Sequence, residues 1–315
     1  MKRVNKVVEI SAIALLFLAG CEESADLPPV PENVQAFSLL GDKLYVPEPD
    51  PETESTYNQN LQAALDEYQD NPDDPDALIW LGRRTAYLGE YREAVEIFTD
   101  GIRKHPDDPR MYRHRGHRYI TLRMFEEAIL DFETAAVIMR DMEDQAEPDG
   151  LPNELNQPTS TLKSNVWYHL GLAQYLLEDY DGAVEAYENT LDLDLTDDMR
   201  IATIYWYYMA LRRAGLDDPA GDVIEDISPD IELIENDAYL NLILVFNGVF
   251  SADRLMESSG DALTNSTLGY GIGNWHYMNG REDRAFEIWQ QVYDSGNWPA
   301  FGFIASEVEI MRRSD

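Results

Sequence analysis

The chain has 315 residues, 60 of them acidic against 24 basic, for a formal charge of -36. A field of that sign repels nucleic acid and anionic lipid surfaces, so neither is a partner of the folded part. The length suits one large solenoid or two ordinary domains, and a lone cysteine, Cys21, leaves no disulfide and no zinc–thiolate site to build on.

Lys2, Arg3 and Lys6 precede a short apolar run from Ile10 to Leu18, and Leu18-Ala19-Gly20-Cys21 then resembles a bacterial lipobox. The run is too short to span a bilayer comfortably. Residues 1–20 therefore read as a signal peptide, with Cys21 as the acylated N-terminus of a lipoprotein. The alternative is an ordinary signal peptide beside a chance cysteine. Residues 21–54 are acidic and carry Pro28, Pro29, Pro31, Pro47, Pro49 and Pro51, the composition of an extended tether. Two stretches in it, 36–40 and 44–46, are too apolar for a spacer and are expected to dock on the folded part or on a partner. A helix from about Thr56 to Tyr68 follows, with Leu61, Ala64, Leu65 and Tyr68 on one face.

Residues 55–142 hold this half-repeat and two helical hairpins with a fixed period. Pro72-Asp73-Asp74-Pro75 recurs 34 residues later as Pro106-Asp107-Asp108-Pro109, and the same step carries Gly82 to Gly116, Tyr91 to Phe125, Ala94 to Ala128 and Phe98 to Phe132. Self-similarity at this period marks a helix–turn–helix solenoid. Residues 143–163 carry Pro148, Gly150, Pro152 and Pro158 with no apolar period, and read as a long inserted loop. Subtracting the loop restores the register, because Gly116 to Gly171 is the period plus 21 residues. Residues 164–315 continue with a hairpin around Trp167 and Tyr187 and another from Ile201 to Ile227. A shortened pair at Asp237–Phe246 and Ala252–Met256 comes next, then a hairpin with Gly273, Gly280, Ala285 and Trp289. Ala300 to Met311 closes the array as a terminal helix.

By Leu81, Gly82, Gly89, Tyr91, Ala94, Phe98 and Pro106, and by the tandem copy of this pattern at Gly116, Phe125, Ala128 and Phe132, the chain resembles the tetratricopeptide repeat (TPR) family. The resemblance implies an all-α, right-handed solenoid of five to six helical hairpins with a terminal capping helix. The order of lipobox, proline-bearing tether, early regular repeats and a weak hairpin near Asn247-Gly248 also resembles NlpI-type lipoproteins. Those are adaptors for periplasmic proteases and cell-wall hydrolases, which implies an outer-membrane, periplasmic or surface-facing location and other envelope proteins as partners.

Basic residues cluster in Arg110–Tyr119, and on a helix Arg110, Arg113 and His117 share one face. The family resemblance places first-helix positions on a concave groove. Carried through the repeats, these positions are Arg83, Arg110, Arg113, His117, Tyr168, Tyr175, Tyr205, Arg212, Arg213, Tyr270, Asn274 and Tyr277. Arginine forks match carboxylates, and tyrosine adds rigid contact area. This points to a scaffold that captures acidic or C-terminal peptide segments. The competing reading has the arginines pairing with neighbouring Asp and Glu as charge balance. Arg115 replaces Leu81 of the preceding repeat and is expected in a buried structural pair with Asp131 or Asp100. A second function class is glycan or ligand capture by an aromatic groove. His114 and His117 lack a further ligand for a metal, no nucleophile elbow, zincin motif or phosphate loop is present, and no cofactor is implied. An enzyme is the third and weakest class. A homodimer is compatible with the sequence.

Overall fold

The computed structural model describes residues 27–148, 153, 155–258 and 265–314; the stretch read as a signal peptide and Cys21 lie outside them. Helix α1 (Pro51–Asp70) precedes two hairpins, α2 (Pro75–Tyr87) with α3 (Tyr91–Lys104), and α4 (Pro109–Thr121) with α5 (Phe125–Ile138). The recurring Pro-Asp-Asp-Pro segment is a helix-starting device. Asp74 and Asp108 accept from the backbone N–H of Asp76 and Arg110, while Pro75 and Pro109 occupy the first helical positions. Asp50 and Pro51 repeat the device and start α1 earlier than the apolar spacing predicts. Pro51 is thus a helix opener, and the tether ends before it.

Hairpins α6 (Leu162–Leu176) with α7 (Tyr180–Leu191), α8 (Asp197–Arg213) with α9 (Asp217–Ile224), and α12 (Ser266–Met278) with α13 (Glu282–Asp294) continue the array. The shortened pair is α10 (Asp237–Phe246) and α11 (Ala252–Ser258). Asp198, buried on α8, accepts from the backbone N–H groups of Ile234, Glu235 and Asn236 and so pins the entry into α10. In the α2–α3, α4–α5, α6–α7 and α12–α13 hairpins a glycine on the first helix meets an aromatic on the second. A Cβ on Gly82 would lie 2.5 Å from the Phe98 ring, and one on Gly273 would lie 2.1 Å from Trp289. Gly116 with Phe132 and Gly171 with Tyr187 repeat the contact. Ala94 and Ala128 are fully buried where the paired helices approach. Among the described helices none is long and apolar enough to cross a membrane.

The docking expected of stretches 36–40 and 44–46 is seen, on the folded part; what changes is the extended tether around them. The apolar stretches of the tether form an antiparallel hairpin of β1 (Val34–Phe37) and β2 (Lys43–Tyr45) that docks on the chain itself. Gln35 bonds Glu90 and the Arg92 backbone; Ser38 and Asp42 bond the Tyr293 hydroxyl; and Trp298 Nε1 donates to the Tyr45 carbonyl at 2.9 Å. The terminal helix, α14 (Phe301–Ser314), closes the array as expected and does more than cap it. A cap buries one stripe, but here Phe303 to Glu309 are all buried, seven residues in a row. Helix α14 packs on α12 and α13 and also reaches α6. It lies on the inner side of the solenoid, where the sequence suggested an open groove.

Candidate peptide-binding site

The residues expected to line one groove divide into three sets. Tyr168, Tyr175, Tyr205, Tyr270 and Asn274 are buried in the core. Tyr175 and Tyr270 share a hydrogen bond between their hydroxyls at 2.8 Å, and Tyr205 packs against Trp206, Tyr239 and Phe246. They are fillers between helices, which removes the aromatic surface a glycan groove would need. Arg110 and Arg212 pair locally, the first with Asp108 and Asp76, the second with Asp217 at 2.7 Å. Arg213 bonds Glu309 of α14 and the Asn274 side chain, with its guanidinium 4.2 Å from the centre of the Tyr277 ring. Helix α14 thus already satisfies the second half of the expected groove.

Arg83, Arg113 and His117 do come together. With Tyr87, His114 and Arg118 they surround a cavity of about 110 Å3 between α2 and α4. Arg113 is buried and meets Glu147 of the inserted loop at 3.0 Å. The second Glu147 oxygen accepts from Asn165 at 3.1 Å. Arg83 donates to the Pro148 carbonyl at 2.8 Å and lies over Trp80. The loop is closed at its base, where Glu147 N donates to Ser160 and Ala146 pairs with Thr161. It therefore carries an acid onto the arginine face, a placement that an aperiodic stretch of sequence does not reveal.

Arg118 was not among the expected residues, although it stands on the same helix one turn beyond His114. Its guanidinium lies 5.5 Å from the centre of the Tyr91 ring and has no carboxylate partner among the described residues. Burial lowers its pKa to about 10. His114 and His117 are held well below the usual imidazole value, chiefly by burial and then by neighbouring arginines. Both rings are neutral, and Arg113 donates to His114 at 3.0 Å. Three guanidinium groups therefore line one cavity, and among the described residues the carboxylate that meets them is that of Glu147, at Arg113. Arg115, by contrast, makes the structural pair expected of it, with Asp131.

The periodic hairpins can be compared with known families. Models of the tetratricopeptide repeat match residues 83–144 and 164–197. The chain carries tetratricopeptide repeats. Similar solved structures include YrrB, a TPR protein with an unusual peptide-binding site (16% identity, 75% of this chain and 93% of that one, TM-score 0.43). A TPR protein from Parabacteroides merdae matches at 17% identity over 80% of this chain and 90% of its own, TM-score 0.44. MamA matches at 18% identity over 55% and 86%, TM-score 0.42. A search of curated proteins found no match. Tetratricopeptide repeats imply a protein–protein interaction scaffold.

Proposed function

We propose that the protein is a lipid-anchored scaffold of the cell envelope that binds an acidic peptide segment at the Arg83–Arg113–Arg118 cavity. The observation that supports this reading is the charge at that cavity, lined by three guanidinium groups that meet, among the described residues, the one carboxylate of Glu147 at Arg113, in a chain of formal charge -36. Buried charge is costly unless paired, so an anion is the ligand that such a cavity favours. Glu147 indicates the chemistry it accepts, since a carboxylate already sits between Arg113 and Asn165. A ligand acid would take Arg118, which has no carboxylate partner among the described residues, or displace Glu147. Helix α14 occupies the other half of the concave side, so the ligand engages the α2–α4 end.

Calorimetric titration with a glutamate-rich peptide tests this reading, with a melt for each variant. Arg118→Ala should weaken binding about tenfold or more, as loss of a charge-assisted bond of roughly 1.5–3 kcal/mol implies. Glu147→Gln should strengthen it by removing the internal competitor. Equal binding by wild type and Arg118→Ala would sink the reading. The anchor is tested separately. Cys21→Ala should move the protein from the detergent phase to the aqueous phase, and unchanged partitioning would refute the lipobox.

A further inference from the structure

The outer face carries a larger cavity, about 630 Å3, between α5 and α7 with α6 behind it. Its counterpart one repeat earlier, between α3 and α5, is filled from within the chain. There Arg115 bonds Asp131 at 2.8 and 2.7 Å and Thr99 Oγ1 at 3.0 Å. Its guanidinium lies 6.0 Å from the centre of the Tyr112 ring and 5.5 Å from that of Tyr119.

The repeat register carries each of these groups onto the second groove. The step from Gly116 to Gly171 takes Arg115 to Leu170, Asp131 to Ala186, Tyr119 to Gln174 and Glu127 to Gly182. It also takes Tyr112 to Trp167, and the preceding step takes Thr99 to Glu133. The arginine and its acid have been replaced by apolar or small residues, which opens the volume. An aromatic plate and an acceptor remain at the places where Tyr112 and Thr99 stand.

We propose that this outer groove docks a basic segment of a partner protein, whose arginine side chain enters where Arg115 sits in the neighbouring repeat. The aliphatic stem would cover Leu170 and Ala186, both buried at the floor. The guanidinium would lie against Trp167 and be accepted by Glu133, a pairing of aromatic face and carboxylate that suits arginine. Glu185 and Asp192 line the α7 side, and none of these three acids has a cationic partner among the described residues. Val137, exposed on α5, offers an apolar wall for residues flanking the arginine. Arg140 and Lys163 also line the groove, Arg140 two turns beyond Glu133 on α5. They orient the segment, since its cation is repelled from that end. The net negative field of the chain draws such a segment in.

The test uses fluorescein-labelled Gly-Leu-Arg-Leu-Gly and its glutamine and glutamate analogues, titrated by anisotropy at 0.15 M salt. The arginine peptide should bind at least tenfold tighter than either analogue. Leu170→Arg combined with Ala186→Asp rebuilds the neighbouring internal pair inside the groove and leaves the net charge unchanged. It should cost the arginine peptide at least tenfold, without altering non-specific attraction. Glu133→Gln, on the exposed rim, should cost threefold or more and does not depend on that double variant folding. No preference for arginine, or undiminished binding by these variants, overturns the proposal. Preference for the glutamate analogue overturns it in favour of Arg140 and Lys163. A concentration-dependent dimer lost in the double variant would give the groove to a second copy instead.

Discussion

Protons are excluded from the arginine face by its own geometry. Arg113 can donate to His114 Nδ1 only while that nitrogen is bare. His169, packed beside His117 and Phe301, bonds the Asn165 carbonyl through Nδ1 at 2.6 Å, and burial lowers its pKa to about 3. The unfolded chain titrates these rings near 6.5, so on acidification it takes up protons that the folded chain refuses. The stability that neutral His169 confers is full above pH 6.5 and drains as pH falls toward 3. Acidification also relieves repulsion among the carboxylates, which acts in the opposite sense. The histidine contribution is therefore isolated by comparing wild type with His169→Phe. Between pH 7 and pH 5 the wild-type melting temperature should fall more than that of the variant. Parallel curves would mean that His169 is protonated in the folded chain.

At the scale of elements, the turn between paired helices needs one residue at positive φ. Gly89 supplies it in the first repeat at φ 85, but Arg123 and Glu178 supply it in the next two, each at φ 65. A non-glycine residue there costs roughly 1–2 kcal/mol, and both side chains reach α14. Arg123 pairs with Glu307 at 2.6 Å, their side chains 3% and 0% exposed, whereas Glu178 pairs with Arg312 at 40% and 28% exposure. Removing one partner of a buried pair leaves an uncompensated charge and costs about 3–5 kcal/mol. An exposed pair is worth roughly 0–1 kcal/mol. Arg123→Ala should therefore lower the denaturation midpoint strongly, while Glu178→Gly should leave it unchanged or raise it. Equal effects would mean that α14 is not held through Arg123. The hairpins themselves were legible in the sequence because the glycine-to-aromatic contacts, and the Asp-Pro starts of α2 and α4, recur at the 34-residue step or its multiples once the inserted loop is subtracted. The place of α14 was not, because periodicity reports which residues share a hairpin and is silent on how far the array curves. For that reason Tyr175, Tyr270 and Asn274 read as groove, although neighbouring helices bury them. The 34-residue step did contain one unused signal, arginine standing at 123 where glycine stands at 89.

For the molecule as a whole, the two candidate sites differ in their relation to its field. The formal charge of -36 surrounds both. An acidic peptide approaching the α2–α4 cavity meets repulsion at long range and attraction only within contact distance of Arg118. Salt acts on these in sequence. At 0.1 M the Debye length is about 10 Å, which screens the distant carboxylates while leaving a partly buried contact pair largely intact. The association rate of the acidic peptide should thus rise from 0.02 to 0.15 M salt, with its dissociation rate increasing mainly at higher salt. The basic peptide at the outer groove is steered by the same field and should associate more slowly at each step in salt. Stopped-flow anisotropy on the two labelled peptides measures both slopes under identical conditions. Opposite signs are expected, and Arg118→Ala should alter the acidic peptide alone. If both rates fell with salt, the acidic peptide would be experiencing a positive approach to the cavity, and the arginines there would dominate the field at a distance as well as at contact.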